Sequence, residues 1–324
     1  MNAAPVELVH VRRSGLHEGT HYGSVVITAA DGSIEHARGD VDTPMFPRSS
    51  NKPFQATAML ECGAELSGAD LALAAASHSG ERMHIDRVAG ILDRARLDEQ
   101  DLGCPPALPL DERARLAVLL DGGRPRRIYM NCSGKHAGML TAAAANGWST
   151  DDYLDPAHPV QRRVLDVVAR LCRAEPAAVG IDGCGAPLFA VSLHALARGF
   201  GAVNAAAPDT PERQVADAMR AFPEMVGGTG RDDTRLMQAF PGLLVKGGAE
   251  GVHCAALPDG RSVALKITDG GDRARMPVLV AALRATGLLP ADEAAASLLN
   301  EFAVGQVLGG GEPVGTVTVA PGVF

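Results

Sequence analysis

The chain contains very little lysine. Only four of its 30 basic residues are lysines (Lys52, Lys135, Lys246 and Lys266), and the others are arginines. Arginine keeps its proton in proteins, whereas a desolvated lysine can lose it and then act as a base or a ligand. Because this chain uses arginine almost everywhere that a positive charge is needed, the first three lysines are candidates for chemistry.

Several features that would place the chain in other classes of protein are also missing. No apolar run approaches the ~18 residues of a membrane-spanning helix, so we expect no membrane contact. Acidic residues outnumber basic ones and the net charge is −8, which argues against a nucleic-acid-binding protein. Residues 1–15 include no apolar segment of a secretion signal, which predicts a cytoplasmic protein. In that compartment the six cysteines are expected to be thiols or metal ligands rather than disulfides.

The apolar pattern predicts strands at both ends of the chain and mostly helices between them. The strands are expected at 7–11, 22–28, 33–38, 243–246, 252–257, 262–268 and 314–319. The helices are expected at 53–62, 86–96, 112–120, 136–146, 160–173, 187–198, 277–286 and 291–299. Parallel βαβ repeats would alternate strands with helices, and this chain does not. We therefore predict an α+β fold and one compact domain over 1–324. Its antiparallel sheet, flanked by helices, comes from about 5–40 and 240–324, and a largely helical middle of about 60–230 packs on it.

Ser49 and Lys52 are three residues apart at the start of a predicted helix, which places both side chains on one face. A neutral lysine there could take the serine proton and so produce a nucleophile. The motif needs further context before it indicates an enzyme, since a serine cap beside a surface lysine has the same sequence.

Lys246 ends an apolar run and is followed by Gly247 and Gly248. Glycines at the end of a strand allow the backbone to approach a ligand closely, so Gly247 is a candidate for substrate binding. The sequence is close to the K-T-G motif that accompanies S-x-x-K in serine β-lactamases and penicillin-binding proteins. An ordinary turn after a strand is the alternative.

The polar cluster Ser77-His78-Ser79-Gly80-Glu81 directly follows the apolar run 71–76. A helix that ends in this way can direct polar side chains into a cleft, but ordinary capping of the helix gives the same pattern.

Cys132 and Cys184 each lie in a glycine-containing turn that we expect to open a helix, and Lys135 and His136 follow the first of them. Thiolates at helix N-termini are acidified and suit zinc. Two cysteines are too few for a closed structural site, so one position would remain open for water or substrate. Spacing leaves the third ligand open between Lys135 and His136 and favours histidine, the commoner ligand. Two buried thiols without a metal are the alternative.

Taken together, these motifs resemble the L-asparaginase II family typified by the rhizobial, or class 3, asparaginases. The matching segments occur in order along most of the chain: Arg48–Pro53, Ser77–Glu81, Asn131–His136, Asp182–Gly185 and Lys246–Gly248. The resemblance implies a fold like that of serine β-lactamases, penicillin-binding proteins and glutaminases. It also implies hydrolysis of L-asparagine to L-aspartate and ammonia.

The family is described as having two serine–lysine tandems, and the resemblance assigns them to residues of this chain. By motif they are Ser49 with Lys52, and Ser77 with Lys246. Ser79 competes with Ser77 for the second tandem, and we prefer the serine directly before His78.

The family also holds a metal, usually zinc, on two cysteines and a lysine. The resemblance therefore assigns Cys132, Lys135 and Cys184 as ligands and moves His136 to a supporting or substrate-binding role. The ion is expected to orient the substrate and not to be essential for the chemical step.

L-Asparagine is the partner that the resemblance implies. Arg48 and Asp182 are the natural partners of its α-carboxylate and α-amino groups. We also expect a homodimer.

Two other functions agree with parts of the sequence. A serine β-lactamase, a transpeptidase or another amide hydrolase would use the same serine–lysine chemistry, although β-lactamase and transpeptidase substrates lie outside the cytoplasm. A non-enzymatic zinc or thiol protein would need only the cysteine pair, and it predicts that Ser49→Ala has no effect.

Overall fold

A computed structural model describes residues 4–324, which form two compact units. The first, the sheet unit, comprises the chain up to Ser50 together with Val191–Ala205 and Ala239–Phe324. The second, the helical unit, comprises Asn51–Ala190 and Ala206–Gln238. Within 4–324, no helix has both the length and the apolar character needed to span a membrane.

Strands dominate the two ends of the chain and helices its middle. The strands are β1 (Val6–Arg13), β2 (Leu16–Thr28), β3 (Ile34–Arg38), β4 (Pro44–Met45), β5 (Val179–Ile181), β6 (Pro187–Phe189), β7 (Val191–Ser192), β8 (Leu244–Gly247), β9 (Val252–Ala256), β10 (Ser262–Ile267), β11 (Gly305–Gly309) and β12 (Glu312–Val319). The helices are α1 (Lys52–Glu61), α2 (Gly68–Ala74), α3 (Arg82–Arg94), α4 (Glu112–Leu120), α5 (Ser133–Ala145), α6 (Pro159–Cys172), α7 (Leu193–Asn204), α8 (Pro211–Ala221), α9 (Pro223–Val226), α10 (Asp232–Ala239), α11 (Arg275–Ala285) and α12 (Glu293–Ala303).

The sheet unit contains one antiparallel sheet of eight strands. Seven follow the order β11-β12-β1-β2-β10-β9-β8, and β3 also pairs with β2. Strands β1 and β2 therefore lie between strands from the end of the chain. The predicted α+β fold, with a sheet built from both chain ends and a helical middle, is confirmed. Helices α7 and α11 pack on the buried strands β9 and β10.

Helix α5 lies inside the helical unit, in contact with α1, α2, α3 and α6. Neighbouring helices approach it closely because it carries glycines. A Cβ at Gly134 would lie 2.5 Å from the carbonyl oxygen of Leu73, and one at Gly138 would lie 2.7 Å from the Sδ of Met59. Ten of its thirteen residues are buried, so the polar side chains of its first turn are enclosed.

Most of the predicted elements are confirmed, but the helix expected at 187–198 is wrong in its first half. Residues Pro187–Phe189 and Val191–Ser192 form β6 and β7, and α7 begins only at Leu193. The hydroxyl of Ser192 accepts a hydrogen bond from the backbone N–H of Ala195 at 3.1 Å, which caps the helix there. Apolar periodicity alone does not reveal this start.

The turn that contains Cys184 does not open a helix, contrary to expectation. It joins β5 to β6, which pair in antiparallel fashion. The backbone N–H of Asp182 donates to the carbonyl of Ala186 at 2.9 Å, and that of Gly185 donates to Asp182 at 2.8 Å. Gly185 has a φ of +89°, which glycine adopts without steric cost. A β-hairpin therefore positions Cys184.

Candidate active site

Lys52 is the first residue of α1, and its side chain is fully buried in the helical unit. Its Nζ donates hydrogen bonds to the Oγ of Ser77 at 2.9 Å, to the Sγ of Cys132 at 3.1 Å and to the carbonyl oxygen of Ala76. Three acceptors match the three N–H groups of a lysine ammonium. A proton can therefore pass between Lys52 and Ser77 along an existing hydrogen bond.

Ser77 lies in an extended segment that follows α2. The backbone N–H of Ser77 donates to the carbonyl of Val226 at 3.0 Å, and that of His78 donates to the carbonyl of Asn131 at 3.1 Å. Two separate parts of the helical unit thus hold this segment in place, which fixes the position of the Ser77 hydroxyl.

The hydroxyl of Ser79 has a different partner. It donates to the Oε1 of Glu81 at 2.7 Å, and the same carboxylate accepts the backbone N–H and the hydroxyl of Thr229 at 2.8 and 2.6 Å. Burial raises the pKa of Glu81, but the hydrogen bonds from Thr229 and Ser79 outweigh burial and hold it below its ordinary value. Of the two serines, Ser77 is the one bonded to a lysine.

Cys132, Lys135 and Cys184 meet inside the helical unit, each with at most 3% of its surface exposed. Cys132 immediately precedes α5, Lys135 lies in the first turn of that helix, and Cys184 comes from the β5–β6 turn. The Nζ of Lys135 donates a hydrogen bond to the Sγ of Cys184 at 3.0 Å. A helix and a hairpin therefore bring two sulfurs and one amine together.

The two thiols of this cluster differ in acidity. A hydrogen bond from the Cys132 thiol lowers the pKa of Cys184 far below that of a free thiol, against the effect of burial, and the charge of Lys135 lowers it further. The same hydrogen bond and burial raise the pKa of Cys132. Burial alone would lower the pKa of Lys135, but the negative charge of Cys184 holds it above its ordinary value. Cys132 and Lys135 thus favour the thiolate form of Cys184, and that negative charge in turn favours the ammonium form of Lys135.

The donors of this cluster fit a zinc ion. Zinc prefers sulfur and nitrogen ligands, and three protein ligands leave one position open. Binding would release the protons of Lys135 and Cys132, because metal ligands must be deprotonated. The Oδ2 of Asp182 lies 3.7 Å from the Sγ of Cys184, so a carboxylate stands beside the cluster.

His136 is fully buried next to Lys135, and its Nδ1 lies 2.6 Å from the Oη of Tyr153. Burial lowers the pKa of His136 and raises that of Tyr153. Nothing in the spacing of Tyr153 connects it to the motifs, so its place in the site does not follow from the sequence. The scarcity of tyrosine, with three in the chain, is the one available signal.

In the sheet unit, Arg48 and Ser49 belong to a short 3-10 turn, Arg48–Asn51, and are half-buried. Arg48 has a φ of +51°, a left-handed conformation that costs a non-glycine residue about 1–3 kcal/mol. Its guanidinium lies 3.5 Å from the carboxylate of Glu250. Tertiary contacts therefore hold the turn that presents Ser49.

The end of β8 lies against this turn. The Oγ of Ser50 donates to the carbonyl oxygen of Lys246 at 3.1 Å, and a Cβ at Gly248 would lie 2.9 Å from the carbonyl oxygen of Pro47. Lys246 is buried, and its Nζ donates to the carbonyl oxygen of Gly247 at 2.6 Å. The second glycine of the motif is thus required by backbone contact with the serine turn.

The structure brings some of the predicted residues together within each unit. Lys52 contacts Ser77 and Cys132, Lys135 contacts Cys184, and the turn of Ser49 adjoins the strand of Lys246. The tandems Ser49–Lys52 and Ser77–Lys246 each pair a residue of one unit with a residue of the other, and they stay predictions.

Comparisons with known proteins place the chain in a family. A family model described as L-asparaginase II matches residues 9–319. No curated protein matches the chain.

Solved structures with similar folds share little sequence with this chain. The native form of Mglu is 16% identical with a TM-score of 0.46, and the match covers 84% of this chain and 65% of Mglu. The L-glutamate binding form of Mglu is 14% identical with a TM-score of 0.46, and coverage is 83% and 60%. A β-lactamase from Mycobacterium bovis is 15% identical with a TM-score of 0.43, and coverage is 87% and 95%. The chain thus spans less than two thirds of the length of these two Mglu structures.

Proposed function

Because the chain belongs to the L-asparaginase II family, we propose that it is an amidohydrolase that converts L-asparagine to L-aspartate and ammonia. The observation that carries the proposal is the hydrogen bond from the fully buried Nζ of Lys52 to the Oγ of Ser77. A lysine in contact with a serine hydroxyl can transfer the protons that attack by a serine nucleophile on an amide requires.

Ser49 is the proposed nucleophile, and Lys52 is its base. Lys52 in its neutral form accepts the hydroxyl proton, and Ser49 attacks the side-chain amide carbon. Backbone N–H groups stabilise the oxyanion of the tetrahedral intermediate. Ser77, with Lys246 as the second lysine, carries the proton on to the leaving ammonia. Water then hydrolyses the acyl-enzyme and releases L-aspartate.

Charged groups of opposite sign recognise the α-substituents of the substrate in this proposal. The guanidinium of Arg48 binds the α-carboxylate, and the carboxylate of Asp182 binds the α-amino group. Gly247 lets the substrate approach the backbone closely, because it has no Cβ. His136, which follows Lys135 and is fully buried, has a supporting or substrate-binding role in this proposal.

Cys132, Lys135 and Cys184 are the proposed zinc ligands. When bound, the ion supplies a fixed positive charge that orients the substrate through its α-groups. The nucleophile remains a serine, so loss of the metal is expected to weaken substrate binding more than the chemical step.

Ammonia release from L-asparagine and from L-glutamine, with and without a chelator, tests this function. We expect turnover of asparagine that Ser49→Ala abolishes and that the chelator weakens mainly through KM. Hydrolysis of nitrocefin without turnover of asparagine would favour a β-lactamase instead. If neither the wild-type chain nor Ser49→Ala hydrolyses any amide, the result would favour the non-enzymatic zinc or thiol protein.

A further inference from the structure

A chain of hydrogen bonds reaches the His136 ring through Tyr153. The backbone N–H of Gly103 donates to the Oη of Tyr153 at 2.7 Å, and this oxygen lies 2.6 Å from the Nδ1 of His136. Both side chains are buried, with exposures of 2% and 0%. A tyrosine hydroxyl has a single hydrogen to donate. The oxygen could accept a second hydrogen, but the buried O–H has no acceptor other than Nδ1 within residues 4–324, and an unpaired buried donor is costly. The hydroxyl hydrogen is therefore directed to Nδ1.

This arrangement determines the tautomer of His136. A ring nitrogen that accepts a hydrogen bond carries no hydrogen, so the imidazole keeps its hydrogen on Nε2. Nε2 is buried and has no hydrogen-bond partner within residues 4–324. Burial lowers the pKa of His136, and the side chain of Cys184, which is its neighbour, raises it. Nε2 thus carries a buried hydrogen with no partner within residues 4–324, and Cys184 is the thiol that acts on this ring.

Contacts on both sides hold Tyr153 in this position. A Cβ at Gly103 would lie 2.9 Å from the Tyr153 hydroxyl and 2.7 Å from the Cδ1 of Leu154, so only glycine permits this approach. The Nε2 of Gln161 donates to the backbone carbonyl of Tyr153 at 2.8 Å. The hydroxyl is thus fixed by its surroundings independently of His136.

We propose that Tyr153 is a positioning residue that holds His136 as the Nε2–H tautomer, so that His136 donates a hydrogen bond to the sulfur of Cys184 and does not bind the metal. The proposal rests on the metal site of the proposed function and decides its nitrogen ligand. A protonated ring nitrogen has no lone pair for a metal, which leaves Lys135 as the nitrogen donor. A hydrogen bond to a ligating thiolate tunes and orients that ligand.

The tautomer itself can be measured by NMR without any activity. In protein labelled with ¹⁵N-histidine, the shifts of the two ring nitrogens distinguish the Nε2–H form, the Nδ1–H form and the imidazolium. The His136 signals are assigned by their absence from His136→Gln. We expect the Nε2–H form in the wild-type chain, and signals that shift towards a mixture of tautomers in Tyr153→Phe. Tyr22→Phe, which changes a tyrosine at 46% exposure, is the matched control and should leave the signals unchanged.

An Nδ1–H or imidazolium form of His136 in the wild-type protein would overturn the proposal, as would His136 signals that Tyr153→Phe does not move. If Tyr153→Phe fails to fold, the wild-type tautomer and the cobalt measurement decide the matter.

Co²⁺ is a spectroscopic probe of the nitrogen ligand. We expect His136→Gln to keep the wild-type ligand-field bands and Lys135→Met to change them. Tyr153→Phe should weaken Co²⁺ binding by about ten- to a hundredfold, as changes in groups that support metal ligands do. Bands that change in His136→Gln and not in Lys135→Met would make His136 the ligand and overturn the proposal. Absence of Co²⁺ binding by the wild-type protein would overturn the metal site and the ligand assignment, whereas the tautomer is decided by NMR alone.

Discussion

The Nζ of Lys52 donates a hydrogen bond to the Sγ of Cys132 at 3.1 Å, so the proposed base is in direct contact with a proposed metal ligand. The same Nζ donates to the Oγ of Ser77 at 2.9 Å. One ammonium group therefore connects the serine chemistry to the cysteine cluster. Because Ser77 and Cys132 both accept hydrogen bonds from this one ammonium group, a change at Cys132 is expected to alter the hydrogen bond between Lys52 and Ser77.

Removal of the Ser77 hydroxyl should impair turnover far more than removal of the Ser79 hydroxyl. Ser77 is bonded to Lys52, whereas Ser79 is bonded to Glu81. We expect Ser77→Ala to lower kcat by about 10²–10⁴-fold, the range of a lost proton-transfer group. Ser79→Ala should stay within about tenfold of wild type. Steady-state kinetics on asparagine measures both, and equal losses in the two variants would contradict the assignment.

Loss of the nucleophile or of its base should abolish turnover without unfolding the chain. Ser49→Ala removes only a half-buried hydroxyl. Lys52→Arg keeps the positive charge but cannot accept a proton. Both variants should lose more than a thousandfold in kcat/KM, about 4 kcal/mol of transition-state stabilisation. Circular dichroism checks the fold, and activity of Ser49→Ala within about tenfold of wild type would reject this serine as nucleophile.

The sequence pattern predicts the architecture because the strands cluster at the two chain ends and helices fill the middle. It fails at 187–198, where apolar residues form two short strands before the cap at Ser192 starts α7. An apolar run of this length is compatible with either structure, and tertiary contacts decide between them. The single compact domain, the homodimer and the cytoplasmic location stay predictions.

The motifs locate the candidate site but not its hydrogen bonds. Lys52 bonds to Ser77, which is 25 residues away, because the packing of α1 brings that hydroxyl to the lysine. Spacing within a motif cannot predict such a contact. Tyr153 is a further case, since its hydroxyl contacts His136 and Gly103, which lie 17 and 50 residues away along the chain.

Gly228 should tolerate alanine much less well than Gly230 does. A Cβ at Gly228 would lie 1.7 Å from the Oγ of Ser79 and 2.7 Å from the Oε1 of Glu81, at a φ of +125°. Gly230 has a φ of +72° and no atom within 4 Å of such a Cβ. We expect Gly228→Ala to lower the free energy of unfolding by about 2–4 kcal/mol, from clash and strain together. Gly230→Ala should cost about 1 kcal/mol, from backbone conformation alone. Urea denaturation measures both free energies of unfolding. Equal costs would show that the side chains of Ser79 and Glu81 can move away from the added methyl group at little cost.

The stability of the chain should fall with pH below about 6.5 because of two stacked histidines. The rings of His78 and His84 lie 5.0 Å apart, and burial lowers the pKa of each below its value of 6.5 in the unfolded chain. As pH falls, the histidines of the unfolded state therefore bind protons first. Their contribution to the free energy of unfolding is complete above pH 6.5 and is lost as pH falls towards the folded pKa values. Urea denaturation at a series of pH values should give a smaller loss in His84→Gln than in wild type. His17→Gln, at an exposed position, is the control, and a loss in His84→Gln equal to that of wild type would exclude these histidines as the cause.

Two cysteine variants should separate the role of the metal from that of the base. Cys184 bonds to Lys135, whereas Cys132 also accepts a hydrogen bond from Lys52. If zinc only positions the substrate, Cys184→Ser should raise KM by about ten- to a hundredfold, or 1.4–2.7 kcal/mol, with kcat within several-fold.

Cys132→Ala should raise KM in the same way and should also lower kcat, because Lys52 loses one of its three acceptors. Cys132→Ser restores an acceptor at that position and should recover most of kcat while metal binding stays weak. Elemental analysis of each protein, with steady-state kinetics, makes the comparison. A collapse of kcat by a thousandfold in Cys184→Ser, with the metal lost and the fold intact, would mean that a metal-bound hydroxide performs the attack in place of Ser49. Absence of metal from wild-type protein purified without chelator would instead leave a buried thiolate–ammonium pair as the whole function of the cluster.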